Sequence, residues 1–538
     1  MIKNPILPGF NPDPCIIRVD DDYYIATSTF EWFPAIAIYH SKDLKNWHLL
    51  THVIKNEEDI DLRLLESAKG VWAPDLIYDK IRNKFIVTFT RMASMKGRYF
   101  DLDNFYVESN SIMGPWTKPT YINSVGFDPS IFIDEDGKYY VTSLQWEFRE
   151  NYEKPGTIVL QELDIINKKV IGYAKTISTG ATDRGCIEAP RIYKRNGYYY
   201  LMQAEGGTGY GHSVTLSRSK NIWGPYESKN NSPIVTSHLE NFNDRNAIDS
   251  LKIEKYRANG TNLQKSGHGS ICETQNREVY LCHLCSRPIL PQVCCTLGRE
   301  TAIQKMKWTD DDWLIMDDES NLAKDEVIES GLKEVIFESE NGKSLFEPWP
   351  EYLITLRIDK KSWLTVNEKK QAVIRGQQSL CSLDKVSLIA KRLTSLNTEF
   401  STTFEFSPKT FQHIAGIVIY YDNMNYLTLQ KTFEEDSIIL EIIQLENGKR
   451  IERYKTKLNN NNKLDLKATL NSKYINFSYK DNGEKEYNNI EIDFETYKYS
   501  DEYSDFGEFT GTFCGIFVID SNKKEEKATF DYFEYNDI

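Results

Sequence analysis

Short runs of alternating apolar and polar residues recur along the first part of the chain, each followed by a polar turn and an aromatic return strand. Alternation over a few residues indicates a strand with one buried face, and a tight polar turn between two such runs indicates a β-hairpin. Copies of this hairpin start near residues 13, 72, 128, 188 and 268. The pattern therefore predicts five equivalent β-sheet units.

The copies also share the start of their first strand. Asp13 and Asp128 directly precede a proline, whereas Trp72 and Glu188 lie one residue further from theirs, so we expect these two side chains to emerge in a different direction. The fifth copy starts at His268 and lacks the proline. The copies read Asn11-Pro12-Asp13-Pro14, Trp72-Ala73-Pro74-Asp75, Phe127-Asp128-Pro129-Ser130, Glu188-Ala189-Pro190-Arg191 and His268-Gly269-Ser270-Ile271.

The spacing of the copies, roughly 55–80 residues, leaves room for a second hairpin in each unit and is typical of propeller blades with four strands around a central channel. The first part of the chain is therefore predicted to be a five-bladed β-propeller. A short amphipathic helix is expected at 61–69. The polar stretch 237–265 has no clear periodicity, and we interpret it as a surface insertion.

The pattern changes near residue 343, where longer alternating strands begin, for example at 399–406 and 416–421. Regular strands with short turns indicate a β-sandwich of about 200 residues. We therefore predict an all-β protein with a propeller at 1–315, a linker at 316–342 and a sandwich at 343–538.

Composition excludes some classes of function. The net charge of −14 gives no electrostatic support for binding nucleic-acid phosphates. The N-terminus has no apolar leader and no run of about 18 apolar residues occurs, so we expect a soluble, cytoplasmic protein without a membrane partner. Nine cysteines favour reduced thiols. A zinc site at Cys282, Cys285, Cys294 and Cys295 is an alternative, but adjacent cysteines on a strand point to opposite faces.

The inner strands of propeller blades start at one mouth of the channel, so Asp13, Asp128 and Glu188 should converge on one pit. Three carboxylates in a partly desolvated pit repel one another, which should raise at least one pKa. Most glycosidases cleave the glycosidic bond with one protonated carboxylic acid and one ionised carboxylate. Two alternatives stay open: the Asp-Pro units are turn formers only, or the propeller binds carbohydrate without catalysis.

Several motifs stand in a fixed order along the chain: Gly9-Phe10-Asn11-Pro12-Asp13-Pro14, Ser28-Thr29-Phe30-Glu31-Trp32-Phe33-Pro34, Gly70-Val71-Trp72-Ala73-Pro74-Asp75, Gly126-Phe127-Asp128-Pro129-Ser130, Glu188-Ala189-Pro190-Arg191, Ser286-Arg287-Pro288 and Leu297-Gly298-Arg299-Glu300-Thr301. Together they resemble a β-xylosidase of glycoside hydrolase family 43, in the group with β-xylosidase and α-L-arabinofuranosidase activities. The resemblance implies a five-bladed propeller followed by a concanavalin-like jelly roll, and hydrolysis with inversion at the anomeric carbon.

By resemblance, Asp13 is expected to be the general base, Glu188 the general acid, and Asp128 a third acid that tunes and orients Glu188. Phe30 and Trp72 resemble aromatic walls of the subsite for the terminal sugar.

The resemblance also assigns Arg287 as a contact to sugar hydroxyls. His268 resembles a channel histidine that lies beside a calcium ion in several members, usually through water, although the residues themselves require no cofactor. A sandwich loop is expected to narrow the pocket through Phe509 or Phe513.

These assignments imply an exo-acting enzyme that releases D-xylose from xylobiose and short xylo-oligosaccharides. α-L-Arabinofuranosidase is expected as a side activity, and as the main activity in the alternative interpretation, since pentose selectivity turns on small differences in a pocket. Family members often assemble as dimers or tetramers, so a homo-oligomer is expected.

Overall fold

The computed structural model describes residues 1–152, 156–230, 232–240, 254, 261–459, 463–481, 484–505 and 509–538. Over these ranges the chain forms a five-bladed β-propeller followed by a β-sandwich, so the predicted fold class is confirmed. Short 3₁₀ turns occur at Glu57–Asp59, Lys360–Ser362 and Thr496–Lys498.

Each blade is an antiparallel sheet whose strands follow chain order from the channel outward. The strands of blades one and two are Cys15–Val19, Asp22–Thr27, Ala35–Ser41, His48–Ile54, then Gly70–Asp79, Lys84–Ser94, Asp101–Ser109 and Thr120–Asn123. Those of blades three and four are Ser130–Ile133, Tyr139–Trp146, Gly156–Asp164, Lys169–Ser178, then Glu188–Arg195, Tyr198–Glu205, Ser213–Ser219, Glu227–Ser228 and the added Val235–Thr236. Blade five comprises Gln264–Glu273, Val279–Ser286, Glu300–Trp308 and Leu314–Met316.

The five inner strands share one backbone feature. Asp13 (φ 58°), Ala73 (45°), Asp128 (58°), Ala189 (50°) and His268 (54°) all lie in the left-handed region, which residues with a side chain rarely adopt. The same left-handed backbone conformation therefore occurs at the same position in every blade. Asp13, Asp128 and His268 occupy it themselves, and this explains the one-residue offset of the other two copies.

The ring closes between its first and last blades. Strand Ile2–Lys3 pairs with Glu326–Val327, and Leu7 bridges Thr301 in blade five. A buried apolar cluster joins Ile16 and Ile25 of blade one to Ile303 of blade five. The N-terminus thus fastens the propeller by strand pairing and apolar burial together.

The sandwich stacks two large antiparallel sheets on an apolar core. One contains Gly342–Ser344, Leu364–Val366, Ala372–Arg375, Thr398–Glu405, Lys463–Leu470, Tyr474–Asp481, Asn488–Asn489, Phe494–Glu495, Lys527–Phe530 and Phe533–Asp537. The other contains Ile354–Leu356, Ser387–Arg392, His413–Asp422, Asn425–Glu434, Ser437–Glu446, Lys449–Lys457, Phe513–Asp520 and the propeller segment Trp32–Phe33.

Trp32–Phe33 shows how the two domains join. This segment leaves blade one and pairs antiparallel with Ile354–Leu356 at the edge of a sandwich sheet. The Trp32 indole stacks on Phe513 with ring centroids 4.0 Å apart. At a second junction, a Cβ on Gly298 would lie 1.8 Å from the Thr510 carbonyl oxygen, so only glycine permits this approach. The apolar core is continuous across the interface.

One local prediction was wrong. Segment 61–69 forms turns instead of a helix, because Leu64 and Ala68 have positive φ and the Leu64 N–H donates to the sandwich residue Leu383.

The expected insertion at 237–265 stays a prediction, because residues 241–253 and 255–260 lie outside the described residues. At its described ends His238 and Leu263 are buried, whereas Leu239 and Glu240 are exposed.

Candidate active site

A cavity of about 260 Å³ opens at one mouth of the propeller channel. All five blades and the sandwich contribute to its lining. These contributions are Asp13, Trp72, Asp128, Glu188, His268 and Phe509. The structure thus brings the three sequence-predicted acids together in one pocket.

Asp13 is buried beside positive and polar groups. Its Oδ2 accepts a 2.6 Å hydrogen bond from Ser28 Oγ, and Oδ1 lies 4.0 Å from Arg299 Nη1. Burial raises the pKa of Asp13, while Arg299 and Ser28 oppose that rise. The cation and the hydroxyl therefore favour the ionised carboxylate, the form that a general base requires.

Asp128 has a different environment. Its Oδ2 accepts a 2.9 Å hydrogen bond from the Ala189 N–H, which ties it to the residue next to Glu188. Burial raises the pKa of Asp128 well above its ordinary value, and repulsion from Glu188 and Asp13 raises it further. The predicted rise of at least one carboxyl pKa is therefore confirmed. The backbone contact also places Asp128 where it can orient Glu188.

Glu188 begins the inner strand of blade four, with its side chain 12% exposed. Its Oε1 is buried 3.6 Å from His212 Nε2. Since Glu188 lines the pocket and Oε1 is buried, Oε2 is the oxygen available to a bound sugar.

His268 lines the pocket, with Nδ1 3.6 Å from Asp13 Oδ1. Burial lowers the pKa of His268 well below its usual value, so the ring is neutral. Among the residues that the structure describes, no cluster of three or more His, Cys, Asp or Glu side chains could hold a metal. Calcium takes six to eight oxygen ligands, and these side chains do not fit direct coordination. A calcium ion held through water stays a prediction.

Aromatic rings form one wall of the pocket. Phe30 and Trp72 both line it, as predicted, with ring centroids 5.8 Å apart. The Trp72 indole N–H donates to the Ala68 carbonyl at 3.0 Å, which fixes the ring. Phe127 packs edge-on against Trp72. Phe127 was missed, although it precedes the left-handed residue of its blade as Trp72 and Glu188 do in theirs.

A second apolar wall lies toward the pocket entrance. Phe100 and Trp146 stack with ring centroids 3.8 Å apart, and Met95 and Leu144 complete the surface. Sequence reasoning missed this wall because these side chains come from return strands and loops outside the repeated motif.

The structure places Arg287 outside the pocket lining. Its Nε and Nη2 both donate to the Glu300 carboxylate at 2.7 Å, so the guanidinium is occupied within blade five. Arg299 lines the pocket instead, and among the described residues its Nη2 has no hydrogen-bond partner. The geometry therefore favours Arg299 over Arg287 as the candidate sugar contact.

The structure separates the two sandwich phenylalanines. Phe509 lines the pocket, and its ring lies 4.3 Å from the Arg299 guanidinium carbon. Phe513 is fully buried between Phe10 and Trp32, away from the lining. Phe513 is therefore a core residue of the domain junction, and the expectation that it closes the pocket is not supported by its position.

Two acidic residues of the sandwich, Asp501 and Glu502, hold the Phe509 side of the pocket in place. Glu502 forms a 2.6 Å ion pair with Lys265 of blade five and accepts from the Cys295 N–H. Asp501 accepts hydrogen bonds from the Tyr421 hydroxyl and, at 3.1 Å, from the Thr510 N–H, next to Phe509. Burial raises the pKa of Asp501 to about 6, while Lys265 lowers it.

A paired polar layer lies below the pocket in the channel. Asp75 accepts a 3.0 Å hydrogen bond from Arg191 Nε and a 3.2 Å bond from the Ile131 N–H. Cys15 Sγ contacts the same carboxylate at 3.3 Å, and Arg191 Nη1 donates to the Gly269 carbonyl. These contacts connect all five inner strands and fix the floor of the site.

All nine cysteines lie in the described ranges, and none of them forms a disulfide there. Burial raises the pKa of Cys282 and Cys285 well above the ordinary thiol value. In the part of the chain that the structure describes, the cysteines belong to no group of three or more side chains that could hold a metal, so the zinc alternative has no support. Within the described ranges, no helix is long and apolar enough to cross a membrane.

Buried carboxyls that face one another in an aromatic-walled pocket are the arrangement of a glycoside hydrolase. The model for glycosyl hydrolases family 43 matches residues 2–314, and that for the β-xylosidase C-terminal concanavalin A-like domain matches 348–536. The chain belongs to glycosyl hydrolase family 43.

Relatives align over essentially the full length. The chain is 38% identical to a β-xylosidase of Bacillus subtilis (strain 168), covering 100% of this chain and 99% of that protein. It is 37% identical to xylosidase/arabinosidase 43B of Humicola insolens, covering 100% and 98%. The crystal structure of a xylan β-1,4-xylosidase from Bacillus halodurans C-125 superposes with a TM-score of 0.93 at 40% identity, covering 100% of both chains.

Proposed function

We propose that the protein is an inverting, exo-acting β-D-xylosidase that releases D-xylose from the non-reducing end of short β-1,4-xylo-oligosaccharides. The observation that carries this proposal is the convergence of Asp13, Asp128 and Glu188 on one pocket whose rim is narrowed by Phe509. A pocket of about 260 Å³ suits removal of one terminal sugar at a time. The full-length similarity to β-xylosidases supports the choice of sugar.

In the proposed reaction Asp13, whose ionised form Arg299 and Ser28 favour against the effect of burial, removes a proton from water as the water attacks the anomeric carbon. Glu188 protonates the departing glycosidic oxygen through the pocket side of its carboxyl. Asp128 orients Glu188 through the Ala189 N–H. Both sugar products leave as neutral alcohols, and the cycle ends with Asp13 protonated and Glu188 ionised, so each must exchange a proton with solvent before the next turnover.

The apolar wall of Phe100 and Trp146 lies where the departing part of the substrate would stack. α-L-Arabinofuranosidase side activity is part of the proposal, since a relative at 37% identity is named a xylosidase/arabinosidase. Cytoplasmic action and assembly as a dimer or tetramer stay predictions, and sedimentation of the purified protein tests the latter.

The test compares kcat/KM on 4-nitrophenyl β-D-xyloside and 4-nitrophenyl α-L-arabinofuranoside, with NMR of the products from xylobiose. We expect the xyloside to be the better substrate and α-xylose to appear first from the non-reducing end. A higher kcat/KM on the arabinofuranoside would make arabinofuranosidase the main activity. Initial release of β-xylose would contradict inversion.

A further inference from the structure

A second histidine, His212, lies behind Glu188 at the back of the pocket. It is fully buried, and its Nε2 is 3.6 Å from Glu188 Oε1. Neither atom has a hydrogen-bond partner among the residues that the structure describes. Two buried acceptors that face each other are unfavourable unless a proton lies between them. The geometry therefore indicates a pair that shares one proton.

The opposite side of the ring fixes its tautomer. His212 Nδ1 lies 3.0 Å from the Lys265 carbonyl oxygen, and a carbonyl only accepts, so Nδ1 carries the hydrogen. Nε2 of the neutral ring is then an acceptor aimed at Glu188. The ring also lies directly over Gly267, where a Cβ would be 2.4 Å from the imidazole. This glycine in blade five makes the room that His212 needs.

The other charged and titratable groups around His212 do not take the place of Glu188 as the partner of Nε2. Burial lowers the pKa of His268 and, to about 4, that of His283, so both rings are neutral. Arg184 binds the carbonyl of Gly211, beside His212 in sequence. Asp13 is a second carboxyl that interacts electrostatically with the His212 ring.

We propose that His212 is a positioning residue for the general acid: Nε2 accepts the proton of the Glu188 carboxyl at Oε1 while the pocket is empty. When substrate binds, the carboxyl turns about its terminal bond, which is a soft two-fold rotor. The O–H bond at Glu188 then breaks as a new O–H bond forms on the departing oxygen. The carboxylate left behind takes its next proton from solvent through the open pocket. This inference rests on the proposed function.

Two substitutions test the roles of the two ring nitrogens separately. His212→Asn places an amide nitrogen near the position of Nδ1, so it keeps the bond to the Lys265 carbonyl and removes the acceptor for Glu188. His212→Gln places an amide oxygen near Nε2 and keeps that acceptor. Both full-length variants are compared with wild type and with Glu188→Gln, by pH profiles of kcat/KM on methyl β-D-xyloside and 2,4-dinitrophenyl β-D-xyloside.

We expect His212→Asn to lose about tenfold in kcat/KM on the methyl xyloside at the basic side of the profile, the factor that one hydrogen bond supplies. The basic limb should move to lower pH, because less of the carboxyl is held protonated. The dinitrophenyl substrate, which needs little protonation, should be nearly unaffected, and His212→Gln should lose less than His212→Asn on the methyl xyloside.

Equal losses in both His212 variants would mean a purely structural role, and unchanged profiles in both would remove the role altogether. Either result overturns the inference. If Glu188→Gln keeps wild-type activity on the methyl xyloside, the assignment of Glu188 as the general acid is wrong instead. The two failures are therefore distinguishable.

Discussion

Two polar layers of the propeller channel lie two to three residues apart along the inner strands and behave differently. In the lower layer Asp75 is matched by the Arg191 guanidinium and by a backbone N–H. In the upper layer Asp13 and Asp128 face Glu188, and repulsion contributes to the raised pKa of both. The same repeat thus builds a rigid floor where opposite charges pair, and a reactive site where like charges are held together.

The largest effect should come from breaking the upper layer alone. Asp13→Asn removes the general base and should lower kcat by about 10²–10⁴-fold. The loss should be alike for good and poor leaving groups, because protonation of the leaving oxygen is untouched. Steady-state kinetics on alkyl and nitrophenyl xylosides provide the measurement.

Asp75→Asn is the matched control in the lower layer. It leaves Arg191 buried without its counter-charge, which should cost about 3–5 kcal/mol of stability. The melting temperature should fall, while kcat per folded molecule should change far less than in Asp13→Asn. Comparable losses of kcat in the two variants would show that the layers do not divide their roles in this way.

Arg287 and Arg299 of blade five sharpen the comparison at an intermediate effect. Arg299→Met should lower kcat/KM by about 10–100-fold, since it removes charge-assisted contacts of about 1.5–3 kcal/mol beside Asp13. Arg287→Met should instead lower thermal stability, because it leaves Glu300 buried without its counter-charge. Kinetics and calorimetry on both variants check this. A larger kinetic loss in Arg287→Met would restore Arg287 as the sugar contact.

The smallest effect concerns the pH dependence of stability at the rim. Because the pKa of Asp501 is raised from 3.8 to about 6 in the folded protein, the folded state binds more protons than the unfolded state between these values. The free energy of unfolding should therefore fall as pH rises through that window, by at most about 1.4 kcal/mol per pH unit from this group.

Asp501→Asn should reduce that decline, because the amide oxygen still accepts from Thr510 and does not titrate. Melting temperature measured by calorimetry from pH 4.5 to pH 6 tests this. Glu502, whose pKa is lowered chiefly by Lys265 against the effect of burial, contributes only as pH falls below 4.5, so it does not mask the result. An unchanged slope would contradict the role of Asp501.

The repeat, the fold class and the meeting of the three acids were predictable because one hairpin template recurs with fixed offsets. Its register also contained Phe127, which precedes Asp128 as Trp72 precedes Ala73. What the sequence could not supply was the partner of each charged side chain. Arg287 and Arg299 stand in neighbouring motifs, and only the pairing of Arg287 with Glu300 separates them.

Contacts between the domains were equally hidden from local patterns. Segment 61–69 has helical spacing of apolar residues, yet tertiary hydrogen bonds from Ala68 to Glu31 and from Leu64 to Leu383 determine its shape. Phe509 and Phe513 are four residues apart in one aromatic stretch. Their different roles follow from the path of the chain over the propeller.

The pairing of Trp32–Phe33 with a sheet of the sandwich has a consequence for biosynthesis. Phe33 and its hydrogen-bonding partner Thr355 are 322 residues apart. Translation therefore completes the propeller sequence before the strand that Trp32 and Phe33 join has been made. During synthesis these two aromatic residues have no partner strand until residues 354–356 have left the ribosome.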